Sequence, residues 1–267
     1  MRNGLVLSTA FLGLFLMIAC EKVIEIPLND ADRQIVVEGV GRNFLGESYV
    51  LLSRSGSVYD DGGFEVLSGA IVTVKDKDGI ETIFIEDPLQ AGKYISPTFQ
   101  VTPNNKYTLN VNVEGLEITA ASASKTLPTL DSLTFIKQFG GFGPTPGDTS
   151  YLLFYNFVDN VDEENYYRVS AWVNGVADEN FYIGDDALGN GQLASAPLFA
   201  TSIKSKDTVF VELLSMDEAS YKYLLTLSGN LTSGPFSASP ANPLSNLSQG
   251  LGYYSTYMID TMSIIIP

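Results

Sequence analysis

The chain offers its chemistry through oxygen rather than through nitrogen or sulfur. It holds 31 acidic residues against 15 basic ones, one cysteine and no histidine. Without imidazole, Ser-His-Asp and Cys-His catalysis and His-ligated zinc are excluded. Carboxylate pairs, Ser-Lys dyads and oxygen-ligated calcium remain open to it. The one thiol, Cys20, follows Arg2 and the apolar run Leu5–Ala19, and it precedes Glu21 and Lys22. A basic start, an apolar core of about 15 residues, a small residue and then cysteine is the layout of a bacterial lipoprotein signal. Such a core is too short to cross about 30 Å of hydrocarbon comfortably, so the expectation is cleavage after residue 19 and a lipid on Cys20. Acylation there leaves no thiol for a disulfide, a redox site or a thiolate metal site.

Among the carboxylates, Asp159, Asp162, Glu163 and Glu164 stand together in one loop. They are weak candidates for a calcium site, which takes six to eight oxygens, but they lack the D-x-D-x-D-G order of an EF-hand and read first as a solvated loop. Asp60-Asp61 and Asp185-Asp186 are weaker versions beside glycines. A glycosidase pair needs two carboxyls about 5–10 Å apart across a cleft, and nothing in the spacing says which two would converge. No catalytic residue and no cofactor is therefore expected. Gly140–Gly147 has glycines without the Lys and Ser/Thr order of a phosphate loop, and reads as a plain loop. Aromatics gather at Tyr151, Phe154, Tyr155, Phe157, Tyr166, Tyr167, Trp172 and Tyr182, where core filling is the first expectation. Tyr253, Tyr254 and Tyr257, after a glycine-rich loop, are the candidate exposed binding patch.

The charge balance bounds the partners. Loss of residues 1–19 removes Arg2, leaving 14 basic against 31 acidic residues. Phosphate recognition needs Lys and Arg to displace counterions, so nucleic acid is not an expected partner. An anionic bilayer would repel this surface, and a lipid tether resolves that conflict by holding the body off the headgroups.

The elements that must position these groups are strands. Apolar runs of strand length occur at Ile35–Val40, Tyr49–Ser53, Ala70–Lys75, Glu81–Ile85, Lys93–Ser96, Tyr107–Val113 and Glu117–Ala121. Val72-Thr-Val-Lys75 and Tyr107–Val113 alternate apolar and polar residues, as half-buried strands do. Asp76-Lys-Asp-Gly79 between two runs predicts a hairpin turn. Seven short strands in this span argue for an immunoglobulin-like or transthyretin-like sandwich. Leu127-Pro-Thr-Leu-Asp131 predicts a junction, and strand patterns resume at Leu133–Phe139, Tyr151–Val158, Tyr166–Val173, Phe181–Ile183, Thr208–Leu214 and Tyr253–Ile266. One helix is expected near 216–228, with Ser215 and Glu218 as a capping box and Gly229 ending it. The expected fold is all-β: signal 1–19, tether 20–32, an N-terminal β-sandwich at 33–127, and a second, mainly β domain at 128–267 with one short helix.

The order of motifs resembles a group of Bacteroidota envelope lipoproteins catalogued as domain of unknown function 4249. The residues that carry the resemblance are Cys20-Glu21 with Ile24-Glu-Ile26, Ile35-Val-Val-Glu-Gly39, and Val66-Leu-Ser-Gly-Ala70 before Asp78-Gly79. Gly92-Lys-Tyr94, Asn165-Tyr-Tyr-Arg168, Ser215-Met-Asp217 with Tyr221-Lys-Tyr223, and Asn242-Pro-Leu-Ser-Asn246 through Gly252-Tyr253 follow. Each motif is loose alone, and together they span nearly the whole mature chain. The resemblance implies an outer-membrane lipoprotein, surface-exposed, associated with TonB-dependent transport, and it supplies no catalytic residues. Asp131-Ser132-Leu133, Asp207-Thr208-Val209 and Asp260-Thr261-Met262 resemble the O-glycosylation triplet of this bacterial phylum, making Ser132, Thr208 and Thr261 weak candidates. The leading expectation is a non-enzymatic, lipid-anchored accessory protein that helps a TonB-dependent receptor capture a small-molecule or glycan ligand. The alternatives are a carbohydrate-binding sandwich protein and, further off, a carboxylate-based hydrolase.

Overall fold

The computed structural model describes residues 32–56, 63–139, 149–186, 189–231 and 242–267. The signal segment with Cys20, most of the tether, Asp60-Asp61 and the Gly140–Gly147 loop lie outside the described residues. Residues 33–56 and 61–267 form one compact unit.

The alternating runs become strands. They are β1 (Ile35–Arg42), β2 (Tyr49–Arg54), β3 (Ile71–Lys75), β4 (Glu81–Glu86), β5 (Lys93–Ile95), β6 (Lys106–Val113) and β7 (Leu116–Ala123). After Pro128 come β8 (Thr129–Phe139), β9 (Thr149–Val158), β10 (Tyr166–Val173), β11 (Val176–Ala177) and β12 (Tyr182–Asp185). Then follow β13 (Leu193–Ile203), β14 (Thr208–Met216), helix α1 (Glu218–Leu231) and β15 (Leu251–Ile265). In β6 the pattern of the sequence is the pattern of burial, with Tyr107, Leu109, Val111 and Val113 inward and Lys106, Thr108 and Asn112 outward.

Twelve strands join in one sheet of order β11-β10-β14-β15-β1-β2-β5-β4-β3-β6-β7, with β12 also on β10; β13-β9-β8 form a second sheet. The final strand therefore returns to lie between β1 and β14. It pairs β1 in parallel, Val37 opposite Gly252 and Gly39 opposite Tyr254, whereas the other strand pairs described are antiparallel. The expected junction at Pro128 falls between β7 and β8, which lie in different sheets, while β15 runs back among the N-terminal strands.

Among the described residues, three apolar cores result. In the first, β1, β2 and β15 face β3, β6 and β7 through Val37, Leu52, Val72, Leu109, Ile118, Tyr254 and Met258. The long sheet thus closes over itself as a sandwich, and β7 is tied to β15 where Ser122 Oγ accepts from Thr256 N at 2.9 Å. In the second core the three-stranded sheet covers the β10–β14 end, with Leu153, Phe157 and Leu198 against Val169, Val211 and Leu213. The third lies under α1, where Leu224 packs with Leu214, Met216, Tyr253, Tyr257 and Ile259. A fully buried side chain of this size contributes roughly 1.5–3 kcal/mol, so β15, which feeds the cores on both its faces, holds the molecule together.

The helix begins two residues later than its sequence suggests. Ser215 belongs to β14 and donates to the Thr126 carbonyl at 2.7 Å, so it does not cap. Asp217 is the cap: its Oδ1 accepts from Ser220 N at 2.9 Å, and its Oδ2 accepts from Ser122 Oγ and Ala123 N at 2.8 and 2.7 Å. Gly229 does not end α1, which continues to Leu231.

Candidate functional site

Polar groups form a network where the β7–β8 connection, the β9–β10 loop and the loop before β13 meet. Two cavities flank this corner. One of about 260 Å³ is lined by Thr126, Pro128, Asn160, Asn165 and Ser215 among others; one of about 310 Å³ is lined by Phe157, Asp185, Asp186, Gln192 and Ser195 among others. Asp159 and Tyr167 belong to both walls.

Each acid of the expected cluster now has a place. Asp159 is buried, accepting from Tyr167 Oη at 2.6 Å on one oxygen and from Gly191 N at 2.9 Å on the other. Burial, the bond to Asp159 and that carboxylate's charge push the Tyr167 phenol far above its ordinary range. Glu163 Oε1 accepts from the Thr126 hydroxyl, from Thr126 N at 3.2 Å and from Asn160 Nδ2 at 3.3 Å, while its Oε2 faces the Lys125 ammonium at 3.5 Å. Partial burial alone would raise this carboxyl, but the Thr126 bonds and the Lys125 charge outweigh it and hold it below the ordinary glutamate range. Glu164 gives its carbonyl to Lys125 Nζ at 2.7 Å and accepts from Tyr166 Oη at 3.3 Å. Asp162 donates its N–H to Asn160 Oδ1 at 3.2 Å. Asp186 accepts from Asn165 N at 2.9 Å, and Asp185 from Tyr221 Oη at 3.2 Å. Both oxygens of Asp159 and Glu163 and one oxygen each of Glu164, Asp185 and Asp186 meet internal partners, and among the described residues no three acids form a metal-holding group.

The aromatic patch is corrected outright. Tyr253, Tyr254 and Tyr257 are 8%, 1% and 1% exposed, because β15 sits in mid-sheet with a core on each face. Tyr253 stacks on Tyr223 of α1 with ring centroids 4.6 Å apart, and Tyr257 lies in the same core. Burial lifts Tyr253 and Tyr254 well above the ordinary phenol value. Reading a tyrosine-rich run as surface fails because strand alternation cannot tell a one-sided strand from a strand covered twice.

The glycosylation candidates are all strand residues. Ser132 in β8 donates to its neighbour Asp131 at 2.9 Å; Thr208 opens β14, exposed; Thr261 lies half-buried in β15. Two of the triplet acids hold backbone: Asp207 accepts from Lys204 N at 2.7 Å, and Asp260 from Leu130 N at 2.8 Å.

The residues that carry the family resemblance mostly hold the frame. Asn165 clamps the acidic loop by donating to the Asn160 and Glu163 carbonyls at 2.6 and 2.7 Å. Arg168 lies over the Phe181 ring at 5.6 Å. Before β15, Asn246 Nδ2 donates to the carbonyls of Ala121 and Tyr254 at 3.0 and 2.7 Å, Ser248 N to Thr119 O at 2.8 Å, and Gln249 Nε2 to Glu117 O at 2.7 Å. That strap covers the otherwise free edge of β7, which is how an edge strand is kept from pairing with strangers. Its hydrogen-bonding partners were unreadable in the sequence, since each lies more than 100 residues away except Tyr254.

No curated protein matches the chain. Among solved structures, the FN1-FN3 domains of chicken CNTN1 match at 12% identity and a TM-score of 0.25, over 86% of this chain. The chain spans 65% of that structure's length. The family model for the domain of unknown function DUF4249 matches residues 21–263, nearly the whole chain, and the chain belongs to that family.

Proposed function

We propose that this protein is a lipid-anchored envelope protein, held at the outer membrane through Cys20 with its body at the cell surface. In this reading it works by binding, as an accessory of a TonB-dependent transporter. The anchor rests on the spacing of Arg2, the Leu5–Ala19 core and Cys20. The observation that carries the binding role is the apolar strip on the outward face of β3 and β4. Ile71, Ile83 and Ile85 are 66%, 63% and 59% exposed there, beside one another in the register that pairs Thr73 with Ile83. An acidic body that leaves such a strip in water has a surface suited to a protein partner, whose interface core is depleted in charge.

A glycan platform asks for exposed coplanar rings; the half-buried Trp172 and Phe210 are tilted 49° to each other. A carboxylate hydrolase asks for two acids free to face a substrate, whereas Asp159 accepts internal donors on both oxygens. The accessory reading is tested by affinity isolation from native membranes and by deletion of the gene. Recovery of a transporter together with impaired uptake is expected; neither effect would end the proposal.

A further inference from the structure

Thr126, Asn160 and Glu163 bring a nucleophile, an electrophile and a base to one point. Thr126 lies in the β7–β8 connection and Asn160 in the β9–β10 loop, so a hairpin of the second sheet separates them along the chain. The Thr126 hydroxyl donates to Glu163 Oε1. Asn160 Nδ2 lies 3.1 Å from Thr126 Oγ1 and 3.3 Å from that same carboxylate oxygen. The carboxamide oxygen, Asn160 Oδ1, accepts from Asp162 N at 3.2 Å. Asn165 pins the carbonyls of Asn160 and Glu163 with one side chain, which holds electrophile and base in fixed relation.

We propose that Thr126 and Asn160 are joined by an intramolecular ester that the chain forms by itself. A turn of the Asn160 carboxamide about its Cβ–Cγ bond takes the Nδ2 edge off Thr126 Oγ1 and turns the face of the carbonyl group toward it. Glu163 takes the hydroxyl proton as the Oγ1–Cγ bond forms. The tetrahedral centre collapses with cleavage of the Cγ–Nδ2 bond, and Glu163 returns the proton to the leaving nitrogen. Hydroxyl and carboxamide become ester and ammonia, with no oxidant, reductant or outside reagent. The Lys125 ammonium beside Oε2 favours the ionised Glu163 that the first step uses. The product fastens the link between the sheets to the acidic loop, adding a covalent tie in a chain with no disulfide.

The test is peptide mapping of the full chain isolated from its membrane. Trypsin cuts at Lys125, Lys137 and Arg168, releasing segments 126–137 and 138–168. The proposal expects these two peptides joined, lighter by one ammonia than their summed masses, and separated by hydroxylamine. Thr126→Ser retains the link, whereas Thr126→Val and Glu163→Gln lose it. The two peptides recovered apart from the wild-type chain, with Asn160 intact or simply deamidated, would overturn the proposal whether or not any variant folds.

Discussion

Asp217 shows how much architecture one carboxylate carries. Capping α1 with one oxygen while holding Ser122 and Ala123 of β7 with the other, it joins helix, sheet edge and closing strand. Its replacement by Ala removes a cap and the tie to Ser122 and Ala123, which together cost about 1–2 kcal/mol. Denaturant unfolding of Asp217→Ala against Asp217→Asn checks this, since Asn keeps an acceptor for the helix and recovers part of the loss. Tyr254 argues the other way. Its hydroxyl is buried with no hydrogen-bond partner among the described residues, so Tyr254→Phe is expected to raise stability by about 1 kcal/mol; a loss would reveal a partner. Glu163 sets a pH dependence. Its folded-state value lies below the unfolded one, so its contribution is complete above the ordinary glutamate value of about 4.3 and fades as pH falls through the folded value. Because the group is partly solvated, the cost of Glu163→Gln beyond that of losing the ester is under about 1 kcal/mol at neutral pH and shrinks below about pH 4. A cost that stayed level with pH would contradict that assignment.

At the scale of elements, β15 is decisive and was the least legible. Its length and apolar character stand in the sequence, yet nothing local says that it pairs in parallel with β1, since that contact closes a loop of the whole chain. The close approach leaves a mark at Gly252: a Cβ there would fall 2.0 Å from the Val37 carbonyl, at φ +104. Gly252→Ala is therefore expected to cost more than about 3 kcal/mol or to prevent folding, read by the yield and melting of the purified chain. Strands β1–β7 were legible because alternation such as Val72-Thr-Val-Lys75 maps directly onto one buried face. By contrast, β13 was missed: Leu193-Ala-Ser-Ala-Pro-Leu carries small residues and a proline, and its partner β9 supplies the larger side chains. The helix was legible as a helix but not its cap, because Ser215 is drawn into β14. The tyrosines of β2, β10 and β15 supply an alkaline limit. Burial raises Tyr49, Tyr167 and Tyr253 in the folded state, so their contribution is complete below the ordinary phenol value of about 10 and is lost as pH climbs toward the folded values. Unfolding that sets in above about pH 10, followed by tyrosinate absorbance, is the expected sign.

Over the whole molecule, two cores flank a sheet that the last strand completes, and a third is closed by the helix. The corner of acids, a calcium candidate that read first as a solvated loop, ties the β7–β8 connection to the β9–β10 loop, and its composition was legible in the sequence while its partners were not. Its donors, Thr126, Tyr167 and Gly191, come from three separate segments. Among the described residues, the Ile71–Ile83–Ile85 strip is one apolar stretch left outward on a net-acidic chain. In the proposed function this strip serves a partner while Cys20 holds the body at the membrane. Its most direct measurement is co-isolation from native membranes of the wild-type chain and of a folded Ile83→Asp, Ile85→Asp variant, with bound proteins identified by mass spectrometry. A TonB-dependent transporter is expected with the wild type and is lost with the variant, both chains remaining membrane-bound. A wild-type chain isolated alone, or a variant that keeps the same transporter, would contradict it.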